Sequence, residues 1–373
     1  MNPAKVAVVS SAQIELRPAW HGAQHVDLIS AVVAAVFKGT GLSLDDVDFV
    51  FDSGSDVLDG RSISNCGFLG AMGAHHKEES RVEEDGLWAA TYGINKIAAG
   101  AAHVGLVIAY SKPSESDVNL FYASQCEPFY QRPVGFDHLA ASGIQAQRYF
   151  AEHGPDPETL AAVVSKRYAD GAEHGKVRMD HVPQAAEILE SEAVAAPLTR
   201  MMMSRHLDGA VALLLASEEI ARQVATAPVW VTGMGNAADH HAFAARKAGT
   251  LEACEAAAQQ AYHRAGWQQR RPDIVESSSS SIVTELMVLE ALGLAAPGQA
   301  LKLVTGEDQT TINRSGGALP ADPIMATGLI RLSESVRQLT YPALYGLDAP
   351  SSAIVHGAGG VGMQTHCVMT LEV

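Results

Sequence analysis

Residues 26–55 and 251–280 read as one unit written twice. The first copy is VDLISAVVAAVFKGTGLSLDDVDFVFDSGS and the second is LEACEAAAQQAYHRAGWQQRRPDIVESSSS. They superimpose without a gap at a constant offset of 225, so Gly41 falls on Gly266, Phe37 on Tyr262, Asp48 on Asp273 and Val50 on Val275. The same offset carries the strand-like Val6–Val9 onto Val231–Met234. A repeated strand–helix–strand restricts the chain to folds with two similar halves. Such halves place a site where their equivalent loops converge.

The apolar periodicity supports this reading along the chain. A strand is predicted at Lys5–Ser10, then a helix over Val26–Lys38 with apolar residues three and four apart. A strand follows at Val47–Phe51, an Ala- and Gly-rich helix at Gly86–Ala99 and a buried strand at Val104–Tyr110. The segment Leu207–Ala216 reads as core, strand or helix. In the second half the pattern predicts a strand at Val229–Thr232, a helix at Leu251–Ala265 and a strand at Asp273–Glu276. Further helices are expected at Thr284–Gly293 and Thr327–Leu339. A strand at Ala353–Val355, a glycine turn at 356–362 and a last strand at 363–372 close the chain. Strands alternating with helices imply a mainly parallel sheet. The division is therefore residues 1–112 plus 206–224 as one half, 225–373 as the other, and 113–205 as an inserted cover. The insertion breaks the rhythm with seven prolines from Pro113 to Pro197, and long irregular insertions commonly form lids.

Bulk properties exclude several functions. With 26 Lys+Arg against 42 Asp+Glu, the formal charge is −16 over 373 residues. That balance disfavours a nucleic-acid partner. No apolar run reaches the ~18–20 residues of a membrane span. The opening MNPAKVAVVSSAQ lacks a basic segment followed by an apolar one, which predicts a cytoplasmic protein without a leader. The four cysteines, Cys66, Cys126, Cys254 and Cys367, are widely spaced and signal neither a disulfide framework nor a metal site. The pairs His75–His76 and His240–His241 point to opposite faces of an extended chain and make poor chelates. No metal is expected.

Six segments, in order, resemble those of the thiolases, nearest the lipid-transfer or sterol-carrier branch. RVEEDGLWAATYGI (81–94) resembles the helix start that bears the family's nucleophilic Cys. SRHLDGAVALLLASEE (204–219) resembles its Ser–x–x–Ser–Asp–Gly–Ala–Ala strand. DIVESSSSS (273–281) resembles the strand carrying Asn–Glu–Ala–Phe or His–Asp–x–Phe. NRSGGALP (313–320) resembles its Asn–x–x–Gly–Gly stretch, DPIMATG (322–328) its glycine–His–Pro turn, and HGAGGVG (356–362) its closing Cys–x–Gly–Gly–Gly loop. The resemblance implies an α/β thiolase fold, a five-layered αβαβα stack of two duplicated halves with an inserted loop domain. It also implies a CoA thioester as substrate or ligand, with no permanently bound cofactor. The expected partners are an active thiolase-type subunit or a second copy, and a zinc-ribbon/OB-fold acyl-CoA-binding protein.

At the catalytic positions the sequence departs from the family. Aligned through Val82 and Glu83, the nucleophile's position is Gly86, which cannot be acylated. The activating histidine falls on Asp322, and the Asn or His that orients the thioester oxygen falls on Ser278. The acid/base Cys falls on His356, the one replacement that keeps a proton carrier titrating near neutrality. Met203, at the end of an Arg–Met–Met–Met run, and Gly317 and Gly359 in their glycine turns are the expected contacts of the CoA ligand. Two classes of function follow. The first is a thiolase-like subunit of an acyl-CoA-processing complex, for thiolytic cleavage or Claisen condensation, that lacks the nucleophile and supports an active partner. The second is a Cys-independent aldolase or lyase whose base is His356, Asp322, Tyr341 or Tyr345. An acyltransferase using another thiol, such as Cys66, is a lesser alternative.

Overall fold

A computed structural model describes residues 4–268, 271–306 and 310–373. Met1–Pro3 of the first half, and Gln269 and Arg270 of the second copy, lie outside the described residues. The chain starts with β1 (Val6–Gln13), α1 (His25–Val36) and β2 (Phe49–Ser53), followed by the short turns α2 (Asp56–Asp59) and α3 (Leu69–Met72). β3 (Glu78–Val82), α4 (Gly86–Ala98) and β4 (Val104–Ser111) come next. A long connection carries α5 (Val118–Gln125), α6 (His138–His153), α7 (Pro157–Glu173), α8 (Ala185–Glu190) and the small hairpin β5 (Ala193–Ala195) with β6 (Leu198–Thr199). β7 (Gly209–Ser217) and α9 (Glu218–Val224) complete this half. The second half runs β8 (Val229–Ala238), α10 (Glu252–Ala265), β9 (Ile274–Ser277), α11 (Ile282–Ala291), α12 (Ala300–Thr305), β10 (Thr311–Ile312), α13 (Thr327–Thr340), β11 (Ser352–Gly359) and β12 (Thr365–Glu372).

The sheet order is β10-β9-β11-β12-β8-β1-β7-β4-β2-β3. Read outward from its middle, β1-β7-β4-β2-β3 mirrors β8-β12-β11-β9-β10, so each strand of one half has a counterpart in the other. The seam is a short antiparallel pairing, Val6 with Val231, Ala7 with Trp230 and Val8 with Val229. Helix α1 covers one face of the first half-sheet and α10 one face of the second. Between the two half-sheets α4 and α13 pack on each other, giving five layers. The turns after α1 and α10 repeat as well: Gly41 and Gly266, equated by the offset, have φ of 73° and 71°, a conformation that favours glycine.

The sheet is mixed rather than mainly parallel. β2 pairs in parallel with β3 and β4, and β9 with β10 and β11, while the pairings around β1, β7, β8 and β12 are antiparallel. The last strand of each half runs antiparallel to its first, β12 after a tight turn from β11 and β7 after the long connection from β4. The undecided Leu207–Ala216 segment is a strand from Gly209 on, buried throughout. β11 continues through His356 to Gly359, where the glycines had suggested a turn; the ladder to β12 persists to Gly359–Thr365. No helix among the described residues is long and apolar enough to cross a membrane.

Candidate active site

A cavity of about 720 Å³ opens at the N-terminal ends of α4 and α13, roofed by the connection between β4 and β7. Helix N-termini expose unpaired N–H groups and suit negative charge. Here one side chain serves both helices. Asp85, the N-cap of α4, accepts hydrogen bonds from Leu87 N at 2.9 Å and from Gly328 N at 2.7 Å. The second bond matters because the N-cap residue of α13 is Ala326, which offers no side-chain acceptor. Burial pushes the Asp85 carboxyl up to about 7. Its neighbour Glu84, also raised by burial, accepts from Thr365 Oγ1 at 3.1 Å. A Cβ at Gly359 would lie 2.3 Å from Glu84 Oε2, so a glycine there leaves room for that carboxylate.

Gly86 is not the vacancy the alignment suggested. It faces away from the cavity: a Cβ there would lie 2.7 Å from the Cβ atoms of both Ala109 and Leu329. Its lack of a side chain lets α4 pack against β4 and α13. The cavity meets the residues just before it, Glu83, Glu84 and Asp85. No cysteine lines the cavity. Cys66 is exposed, and Cys126, Cys254 and Cys367 are buried.

His356 is displaced from its expected role by the strand register. Val355 packs into the core that holds α4 and α13, and a Cβ at Gly357 would lie 3.1 Å from Asp85 Oδ1, so these alternate residues face the central helices. His356 therefore points to the other side. It is fully buried and its Nε2 lies 2.9 Å from Nδ1 of His366. Burial holds its pKa well below the ordinary value, which makes it a poor proton acceptor, and it does not line the cavity. Gly317, at φ 66°, closes the turn over Asn313 away from the cavity. Tyr341 is exposed and Tyr345 donates to Glu334; neither lines the cavity.

Asp322, Ser278, Met203 and Gly359 do come together in its wall. Asp322 accepts from Thr327 Oγ1 at 2.5 Å, and its other oxygen lies 3.4 Å from Nδ1 of His206. Residues 206 and 322 are held by a parallel bridge, and Asp322 N donates to Arg205 O at 2.8 Å. Tyr122 stacks on His138 with ring centres 4.2 Å apart, and His206 lies 6.0 Å from Tyr122 and 6.2 Å from His138. Burial, with His206 nearby, pushes His138 down to about 4, so it is neutral at pH 7. Burial likewise keeps the Tyr122 phenol protonated. Sequence reasoning missed His138, His206 and Tyr122. Tyr122 lies in α5, His138 begins α6 and His206 lies three residues before β7; no short motif joins them.

The serine run divides by function. Ser281 caps α11, with Thr284 N donating to its Oγ at 3.2 Å, and Ser280 N donates to Thr284 Oγ1 at 3.0 Å. Ser278 is anchored through its backbone, donating to His356 O at 3.0 Å. The hydroxyls of Ser278 and Ser279 are buried in the cavity wall with no hydrogen-bond partner among the described residues. Unpaired buried hydroxyls are costly unless a ligand or water satisfies them. The arrangement thus offers an imidazole with a carboxylate oxygen 3.4 Å from its Nδ1, a phenol, a second histidine and two hydroxyls without partners around one space.

Fold and site together define a duplicated α/β protein of the thiolase type. Residues 235–372 match the family model "Thiolase C-terminal domain-like". The chain is similar to the benzoylsuccinyl-CoA thiolase subunit BbsB of Thauera aromatica, 27% identical over 226 residues, a match spanning 58% of this chain and 59% of that one. It is 24% identical to an acetyl-CoA acetyltransferase of Methanocaldococcus jannaschii over 90% of this chain and 89% of that one. Sterol carrier protein 2 of Gallus gallus matches at 26% identity, over 52% of this chain and 38% of that protein. Among solved structures, the Ltp2-ChsH2(DUF35) aldolase superimposes with a TM-score of 0.85 at 20% identity, covering 100% of this chain and 99% of that one. Residues 235–372 are thus thiolase-like in sequence, and the chain as a whole has the thiolase fold.

Proposed function

We propose that this chain is the thiolase-like subunit of an acyl-CoA-processing assembly and that it forms no thioester with itself. One observation carries the reading: the cavity contains no thiol, and the Asp85 carboxyl fills the point where the two central helices begin. Its ligand would be a CoA thioester bound in passing, with Met203 and Gly359 beside it. A zinc-ribbon/OB-fold acyl-CoA-binding protein and a thiolase-type chain are the proposed partners. The assembly is proposed to work in the cytoplasm, in keeping with four unpaired cysteines.

The groups around the cavity favour carbon–carbon lyase chemistry over a purely supporting role. In this reading His206, whose Nδ1 stands 3.4 Å from Asp322 Oδ2, takes the proton from the β-hydroxyl of a 3-hydroxyacyl-CoA. The O–H pair becomes the new carbonyl as the Cα–Cβ bond breaks, and its electrons pass to the thioester as an enolate. Ser278 and Ser279 hydroxyls donate to the enolate oxygen as its charge grows. The His206 proton then returns to Cα, leaving a shorter acyl-CoA and an aldehyde or ketone. Such general acid–base groups contribute typically about 10²–10⁴-fold. The supporting-subunit reading draws on Asp85, which consumes the N–H donors that an oxyanion would otherwise use.

The test incubates the purified chain, alone and with its co-purified partners, with acyl-CoA and 3-hydroxyacyl-CoA substrates. Intact mass should show no acyl adduct on this chain; an adduct would overturn the proposal. Retro-aldol product that falls about 10²–10⁴-fold in His206→Gln and Asp322→Asn supports the lyase. Turnover only when an active thiolase partner is present, unchanged by both variants, supports the silent subunit.

A further inference from the structure

Behind the cavity wall, on the face of the sheet that α10 covers, lies a second cluster. Cys254 of α10, His356 of β11 and His366 of β12 are 0%, 0% and 1% exposed. One donor atom from each lies within 4.8 Å of the others. The register makes the histidines neighbours: His356 pairs opposite Val368, and His366 stands two residues along the same strand. α10 comes close because the strand beneath it carries glycines; Cβ atoms at Gly233 and Gly235 would lie 2.1 and 1.9 Å from the carbonyls of Ala261 and Ala257. The surrounding helix face is otherwise small and apolar, Ala257, Ala258 and Ala261.

Polar atoms in so dry a place need a reason. Only one contact joins the two rings, Nε2 of His356 to Nδ1 of His366 at 2.9 Å. Nδ1 of His356 has no hydrogen-bond partner among the described residues.

We infer that Cys254, His356 and His366 form a buried Cys–His–His site for a zinc-class divalent cation. One thiolate and two imidazoles suit zinc, with bonds of about 2.3 Å to sulfur and 2.0–2.1 Å to nitrogen. Those lengths place tetrahedral donors about 3.3–3.6 Å apart, so the histidine contact opens by a few tenths of an ångström and the sulfur closes in. Binding releases the thiol proton to solvent, so affinity rises with pH. The cation would pin α10 to the β11–β12 hairpin, whose turn, Gly360 to Gln364, forms part of the cavity wall.

The full chain is loaded with zinc, desalted and analysed for metal. About one zinc per chain is expected, with a raised Tm that a chelator reverses. Cobalt in its place should give a thiolate-to-metal charge-transfer absorption, which histidines on the surface cannot produce. Cys254→Ala removes one sulfur from an alanine-lined face and should leave the fold intact by circular dichroism. It should lose the absorption, the bound metal and the Tm shift, as should His366→Gln. Substoichiometric metal in the loaded wild type, or equal retention by wild type and Cys254→Ala, would overturn the site and leave a hydrogen-bonded histidine pair. Neither result depends on the acyl-CoA reading, because no turnover is measured.

Discussion

β2 and β9 occupy equivalent places in the two halves, yet they fill the layer between the half-sheets differently. In β2 the central-facing residues are Phe49 and Phe51, whose rings lie 4.5 Å apart. The repeat equates Phe51 with Glu276, which is fully buried. Glu276 accepts from Ser315 N at 3.0 Å, Ser315 Oγ at 2.6 Å, Gln338 Nε2 at 2.7 Å and Arg331 Nη1 at 2.9 Å. A duplicated backbone has thus kept its path while one copy uses apolar packing and the other a buried ion pair ringed by hydrogen bonds. The network stands beneath the wall that holds Ser278 and Ser279. Ser277 N donates to Asn313 Oδ1 at 2.8 Å, which joins that wall to the turn carrying Ser315. A buried ion pair adds little net stability over an apolar pair, but a broken one is costly.

The largest test of this contrast is Arg331→Met, which strands Glu276. We expect a loss of about 3–5 kcal/mol in denaturant unfolding, with much of it regained in the double variant Glu276→Leu/Arg331→Met. A cost below about 1 kcal/mol for the single variant would remove the distinction between the halves.

Next in size is the pH dependence of Asp85. Its pKa rises from 3.8 to about 7 on folding, so folding favours the protonated acid. The contribution is fully present below about pH 4 and is lost as pH rises through about 7. Asp85→Asn should flatten the wild-type stability decline across that window, a change on the order of a few kcal/mol. Asp52, also raised to about 7 by burial, keeps part of the slope in both proteins.

Gly86→Cys is expected to cost about 1–3 kcal/mol by overpacking against Ala109 and Leu329. It should yield no acylated thiol by intact mass; an adduct would return position 86 to the cavity. The smallest effect is Phe51→Leu, under about 1.5 kcal/mol in the same unfolding measurement, since an apolar layer tolerates repacking.

The sequence made the duplication legible because period and turn chemistry agreed: Gly266, the cap of α10, and Gly41, in the turn that follows α1, share one conformation. Asp322, Ser278, Met203 and Gly359, singled out from the sequence, stand in one wall of the cavity. His356 and Gly86 went astray for a shared reason. Which way a side chain points depends on where a strand or helix starts: one residue of shift flips a strand side chain to the other face and turns a helical one by about 100°. Glycines at 357 and 359 look like a turn in the sequence, but here they make room in a strand for the start of α4. His138, His206 and Tyr122 meet through tertiary contacts across a long connection, which leaves no local pattern to read. The parallel bias failed at β7 and β12, which return antiparallel to the first strand of their half.

The three-residue seam between β1 and β8 ties the two half-sheets together by backbone pairing, so they are not two boards on a free hinge. Widening the cavity by swinging the halves apart would tear that ladder at its centre. The opposite wall is the segment between β4 and β7, so the cover and not the seam is where a bulky guest would find room.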